Sequence, residues 1–252
     1  MTDIDFGALQ PLMDDEKVFR ITVNSPKNIH IWHGDTGLQS ADVAFADESA
    51  LDALAERIAA AVNIPLDYQH PIADVRLPAG VRVMLISRYV SSQGTVIHIE
   101  KAHDDELSIE KLVKFGAISQ DATDFLLACI MAHRKIAFIG GYHSGRKAAM
   151  NAFAQDIPEI APTVVIEPFN AIHLPKHKNL VKLESQQAKF MDAANLNNNA
   201  LLDAALRLKP HRLIVADIDG SEVNGLLQAM YNGLDVMFSM SATDPRDTLA
   251  RL

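Results

Sequence analysis

The chain has 252 residues, a net charge of −9 and a sequence pI near 5.5; it is long enough for two ordinary domains, and its charge balance offers nothing to a nucleic-acid partner. The single cysteine, Cys129 in Phe-Leu-Leu-Ala-Cys-Ile-Met, excludes an intrachain disulfide and reads as a packed thiol in a reducing compartment. No basic-then-apolar leader opens the chain and no run reaches about 18 uninterrupted apolar residues, so the expectation is a cytoplasmic protein that meets a membrane only through partners.

Val18-Phe-Arg-Ile-Thr-Val23, the turn Ser25-Pro-Lys-Asn28 and Ile29-His-Ile-Trp32 form a hairpin signal, apolar and polar residues alternating on each side. Trp32 is expected as a core or interdomain aromatic. From Glu48, apolar residues recur at Leu51, Leu54, Ala55, Ile58 and Val62, the spacing of a helix with one buried face, capped by Asp47 or Ser49. Gly80 to Ile86 and Thr95 to Ile99 alternate as two further strands around Ser91-Ser-Gln-Gly94. The charged segment Lys101 to Glu106 marks a linker, so a first α+β domain is expected over 1–106 and a second over 107–252.

In the second region a short helix follows Ser108, and Asp121 to Met131 carries Phe125, Leu126, Cys129 and Ile130 at helical spacing. Buried strands are then predicted at Ile136 to Gly140, Thr163 to Glu167, Arg212 to Asp217 and Val236 to Ser239. Helices are predicted after Gly145, over Ala200 to Leu208 and over Ser221 to Asn232; Asn197-Asn-Asn199 reads as a loop or cap. Such alternation predicts an α/β fold with a mostly parallel sheet covered on both faces and ligands at the carboxyl ends of its strands.

Gly140-Gly-Tyr-His-Ser-Gly-Arg-Lys147 joins strand to helix with the spacing of a phosphate-binding turn. The working pattern, G-x-x-x-x-G-K-[ST], cradles phosphates on backbone N–H groups, reaches them with a lysine and holds Mg²⁺ with a hydroxyl. Here Arg146 stands at the lysine position and Lys147 at the hydroxyl position. Gly140, Gly141, Ser144, Gly145, Arg146 and Lys147 are the candidate nucleotide-binding residues. Glu167, Asp217 and Glu222 are candidate catalytic acids; the alternative is that they are strand-end carboxylates without catalytic work. Of ten histidines only His143 lies in the turn, and the others show no metal-ligand spacing, so no metal site is assigned.

Several blocks, in one order, resemble the secretion-superfamily ATPases of type II and type IV secretion, and specifically the CpaF-type motor of the tight-adherence pilus. They are Leu66-Asp-Tyr-Gln-His-Pro-Ile-Ala-Asp-Val-Arg-Leu-Pro, Leu112-Val-Lys-Phe-Gly-Ala-Ile-Ser, the glycine turn, Ala205-Leu-Arg-Leu-Lys-Pro-His-Arg, Gly220-Ser-Glu222 and Asp244-Pro-Arg-Asp-Thr-Leu. The resemblance implies a PAS-like N-terminal domain, a RecA-like P-loop NTPase domain, a ring hexamer binding Mg-ATP between the domains, and partners in a pilus or secretion apparatus. It also implies a helical C-terminal portion that the chain, ending at Leu252, does not include.

Departures from the family fall on charged positions. Besides Arg146 and Lys147, the second acidic motif runs Ala216-Asp-Ile-Asp-Gly220, Pro168 follows Glu167 in the aspartate box, Ser241 stands for a histidine, and Glu100 falls where an arginine of the N-terminal domain approaches nucleotide. A guanidinium is larger and differently hydrated than an ammonium, and Lys147 is rotated by about 100° from its neighbour on a helix. Arg76 and Arg82 either reach an interdomain cleft, as the resemblance implies, or pair locally with Asp74. The expectation is therefore a degenerate ATPase homologue, structural or regulatory in a pilus or secretion machine, binding ATP and Mg weakly or not at all. Isolated, it is expected as a monomer or low oligomer, with an active ATPase paralogue as one possible partner. The alternative is a working motor in which Arg146 does the lysine's task.

Overall fold

A computed structural model describes residues 4–101, 107–141, 144–167, 172–184, 198–218 and 220–252. Backbone contacts divide the chain into two compact units, Met1–Asp104 and Asp105–Leu252. The expected linker, Lys101 to Glu106, lies outside the described residues beyond Lys101, as do Tyr142, His143, Pro168, Asn197, Asp219 and His103.

In the first unit α1 (Gln10–Asp14) precedes β1 (Val18–Ser25), β2 (Asn28–His33), β3 (Gly37–Ser40), α2 (Glu48–Ala61), β4 (Ile72–Leu77), β5 (Val81–Ile86) and β6 (Val96–Glu100). The strands form one antiparallel sheet in the order β3-β2-β1-β6-β5-β4. Period-two alternation puts Ile21, Val23, Val83, Leu85, Ile97 and Ile99 on one face, where they share a core with Leu51, Leu54, Ala55 and Ile58 of α2. Asp47 is the N-cap of α2, accepting from the Ala50 N–H at 2.8 Å. Trp32 is not a core residue. It falls on the alternate register, is 44% exposed, and lies 5.9 Å from the Arg20 guanidinium.

The second unit runs α3 (Ile109–Lys114), α4 (Gln120–Met131), β7 (Ile136–Gly140), α5 (Arg146–Ala154), β8 (Thr163–Glu167), β9 (Leu180–Glu184), α6 (Asn198–Arg207), β10 (Arg212–Ile218), α7 (Val223–Tyr231), β11 (Asp235–Ser241) and α8 (Pro245–Arg251). Its sheet is parallel throughout, in the order β7-β11-β10-β8-β9. Strands buried on both faces need apolar residues at successive positions, and β8, β10 and β11 supply them. Val165, Ile214 and Met237 face a core with Leu112, Ile130, Met150 and Phe153 of α3, α4 and α5; Val164, Ile166, Leu213, Val215 and Phe238 face another with Leu202, Ala205, Leu226 and Ala229 of α6 and α7. Phe125, expected on the buried face of α4, is exposed, because that face runs through Thr123, Leu126 and Ile130, centred about 130° away around the helix. Cys129 is half-buried against the first of these cores. Among the described residues no helix is long and apolar enough to cross a membrane.

Candidate functional site

Because all five strands of the second sheet point one way, Gly140, Ser241, Asp217 and Glu167 come to the same edge of it. Gly140 ends β7, and Ser241 of β11 pairs with it in register. The turn that follows needs two of its glycines. A Cβ at Gly140 would run into the Ser144 side chain, and Gly145, the N-cap of α5, has φ 80°, a left-handed backbone that other residues adopt at a cost. Gly141 and Ser144 are exposed, and the Ser144 N–H donates to the Gly141 carbonyl at 3.3 Å. With no side chain capping α5, its N-terminal N–H groups and dipole face the turn.

Both cations of the turn converge on one acid. Arg146 donates from Nη1 to the carbonyls of Gly141 (2.8 Å) and Gly140 (3.3 Å), and from Nη2 to Asp217 Oδ1 at 2.9 Å. Lys147 Nζ stands 2.8 Å from the other oxygen, Asp217 Oδ2. The Arg146 side chain is only 11% exposed, and its Nε has no partner among the described residues. Asp217 reaches this position through a bulge. The pairing of β10 with β11 slips between Val215 and Ile218, Asp217 takes φ 55°, and its N–H donates to the buried Ser239 Oγ at 2.9 Å.

The other two candidate acids do different things. Glu167 is fully buried, and two strands, β10 and β11, separate its strand from β7. Its Oε1 lies 2.9 Å from Lys182 Nζ, its Oε2 accepts from the Ile172 N–H at 2.7 Å, and Lys182 closes the triangle by donating to the Ile172 carbonyl at 2.7 Å. Glu222 is buried at the start of α7, where its carbonyl accepts from the Leu226 N–H at 3.0 Å and its side chain does not cap the helix.

In the first unit Arg82 makes the local pair. Its Nε and Nη2 reach the two oxygens of Asp74 at 3.0 and 2.8 Å. Glu100 lies in register between Arg20 and Arg82. A bond from His98 holds its carboxyl below the ordinary glutamate value, helped by both arginines and opposed by burial. Among the described residues no group of three or more His, Cys, Asp or Glu side chains is arranged to hold a metal ion.

Mg-ATP, which the resemblance implies, does not fit this donor set. Magnesium at a nucleotide is held by one or two carboxylates or a hydroxyl together with phosphate oxygens. Here an ammonium replaces the hydroxyl, both oxygens of Asp217 carry cations, and both oxygens of Glu167 are engaged elsewhere. Two residues that matter to this geometry escaped the sequence reading. Ser239 is a lone hydroxyl inside the apolar run Val-Met-Phe-Ser-Met, a signal open to notice, whereas Lys182 in Leu-Val-Lys-Leu-Glu carries no mark of its role.

Residues 3–252 match the family model described as type II/IV secretion system protein. A Mycobacterium tuberculosis protein provisionally named for conjugal transfer is 28% identical over 98% of this chain and 71% of its own length. The type IV secretion system protein VirB11 of Brucella suis is 24% identical over 89% of this chain and 69% of its length. In fold, the pilus retraction motor PilT with bound ADP is similar at a TM-score of 0.66 and 14% identity, covering 98% of this chain and 69% of that one.

Proposed function

The chain belongs to the type II/IV secretion system protein family, and on that premise we propose that it is a catalytically impaired, CpaF-like member serving a secretion or tight-adherence pilus assembly machine as a structural or regulatory subunit. Its partners are proteins of that apparatus, an active ATPase paralogue among them. It works on the cytoplasmic side and meets the membrane through those partners.

One observation carries the reading: the residue in the hydroxyl position of the turn is Lys147, and it and Arg146 both sit on Asp217. Phosphoryl transfer relies on positioned charge and metal rather than on covalent chemistry by the protein. Replacing the metal-holding hydroxyl with a cation, and neutralising the nearest acid with two cations, removes what a triphosphate would need for cleavage. The apolar framework that places the turn, Val165, Ile214 and Met237 against Met150 and Phe153, does not depend on those charges. It supports a role that keeps the fold while losing turnover.

The test is steady-state ATP hydrolysis by the pure protein with Mg²⁺. No turnover above buffer is expected. Turnover abolished by Gly145→Asp, which places a bulky anion at a left-handed position of the turn, would support a working motor instead.

A further inference from the structure

Two cations beside a glycine turn and a helix N-terminus draw an anion less strongly when a carboxylate already pairs with both, and here one does. We propose that Asp217 is an intramolecular counter-anion: its carboxylate holds Arg146 and Lys147 against entry of a polyphosphate, which binds the turn only by displacing it. The inference rests on the reading of this turn as a former nucleotide site and adds its regulation.

The contact is built rather than incidental. Each carboxylate oxygen takes a different cation, Arg146 at 2.9 Å and Lys147 at 2.8 Å. Asp217 is held there by backbone: its left-handed φ of 55° carries it out of the β10–β11 ladder, and the Ser239 hydroxyl accepts the N–H that the bulge frees from pairing. Ser239 pairs in register with Phe138 of β7, so the residue that anchors Asp217 sits on the strand between it and the turn. On the other side, the Gly140 and Gly141 carbonyls fix the guanidinium so that Nη2 points at the acid. The Arg146 and Asp217 side chains are 11% and 25% exposed, so solvent screens this pair less than a surface pair. A phosphate group entering the turn meets one carboxylate and two cations, a local sum of +1; without the carboxylate the sum is +2.

Asp217→Asn removes the charge at constant size. Tripolyphosphate is titrated by calorimetry at fixed ionic strength into the full chain and this variant, and the variant is expected to bind about tenfold tighter or better. Ser239→Ala leaves all three charges in place and releases only the anchor; a smaller gain is expected. Arg146→Gln combined with Asp217→Asn is expected to abolish the gain. ATP is titrated in parallel: equal affinities identify the phosphate chain as the ligand, and tighter ATP adds the nucleoside, the gain being required of both. If neither Asp217→Asn nor Ser239→Ala binds more tightly than the wild-type chain, the inference is overturned. It is overturned equally if Asp217→Asn binds more weakly, since Asp217 then supports the ligand. The catalytically impaired reading fails separately, by turnover in the wild-type chain, which these titrations do not measure.

Discussion

Replacing Lys182 with methionine keeps most of the apolar stem and removes the ammonium that faces Glu167. The carboxylate is fully buried, and its Oε1 loses a cation at 2.9 Å, while the Ile172 carbonyl loses a donor at 2.7 Å. Breaking a buried ion pair from one side costs about 3–5 kcal/mol. The Lys182 side chain is 30% exposed, and Glu167 keeps the Ile172 N–H, so the low end, about 3 kcal/mol, is expected. In a unit the size of Asp105–Leu252 this lowers the melting temperature by about 6–12 °C. Adding Glu167→Gln to Lys182→Met removes the buried charge and is expected to recover more than half of the loss. Urea and thermal unfolding followed by circular dichroism give the full double-mutant cycle. A Lys182→Met protein within about 0.5 kcal/mol of wild type would refute the view that Glu167 is a structural anion satisfied by Lys182.

Burial pushes the His177 imidazole below its ordinary 6.5, against Glu159 and a bond to the Ile157 backbone, and its buried Nε2 has no partner among the described residues. The unfolded chain then takes up the proton first, so the stability given by the neutral ring is complete above pH 6.5 and declines as pH falls through the lower folded value. His177→Asn is expected to flatten the fall in melting temperature as pH drops below about 6.5; an unchanged slope contradicts this. Assembly is the other expectation. With both cations of the turn already paired to Asp217, Mg-ATP has little purchase for drawing subunits together, so light scattering coupled to size exclusion should show a monomer or low oligomer with and without nucleotide. A hexamer formed by nucleotide alone is the contrary result.

The strands buried on both faces were the most legible in the sequence. Thr163–Glu167 carries apolar residues on consecutive positions and could be little else, and the convergence of Gly140, Asp217 and Glu167 on one sheet edge follows from parallel pairing alone. Of the four edge strands only Ile136–Gly140 was legible, announced by its apolar run into the glycine turn, and it is half-buried rather than buried on both faces. Gly37–Ser40 and Leu180–Glu184 are short, half-exposed and paired on one side only, and Ile72–Leu77 lies at the outer edge of its sheet. Phe125 and Trp32 show the limit of residue type as a guide to burial: each is a large aromatic just off the buried register. The pairings at the site were beyond reach for another reason. Arg146 and Asp217 are 71 residues apart, and their meeting depends on a bulge and a left-handed residue, which apolar periodicity does not encode. Lys182 answers Glu167 from an edge strand the sequence did not announce.

Whether this family member accompanies a motor without being one is decided by purifying the tagged chain from its native cell under conditions that preserve complexes. The chain is expected to be recovered with a second protein of the same family whose turn reads Gly-Lys-Ser or Gly-Lys-Thr, with all ATP hydrolysis lost when that lysine is changed. Recovery of the chain without such a partner, and with Mg-dependent hydrolysis that Gly145→Asp abolishes, would contradict it.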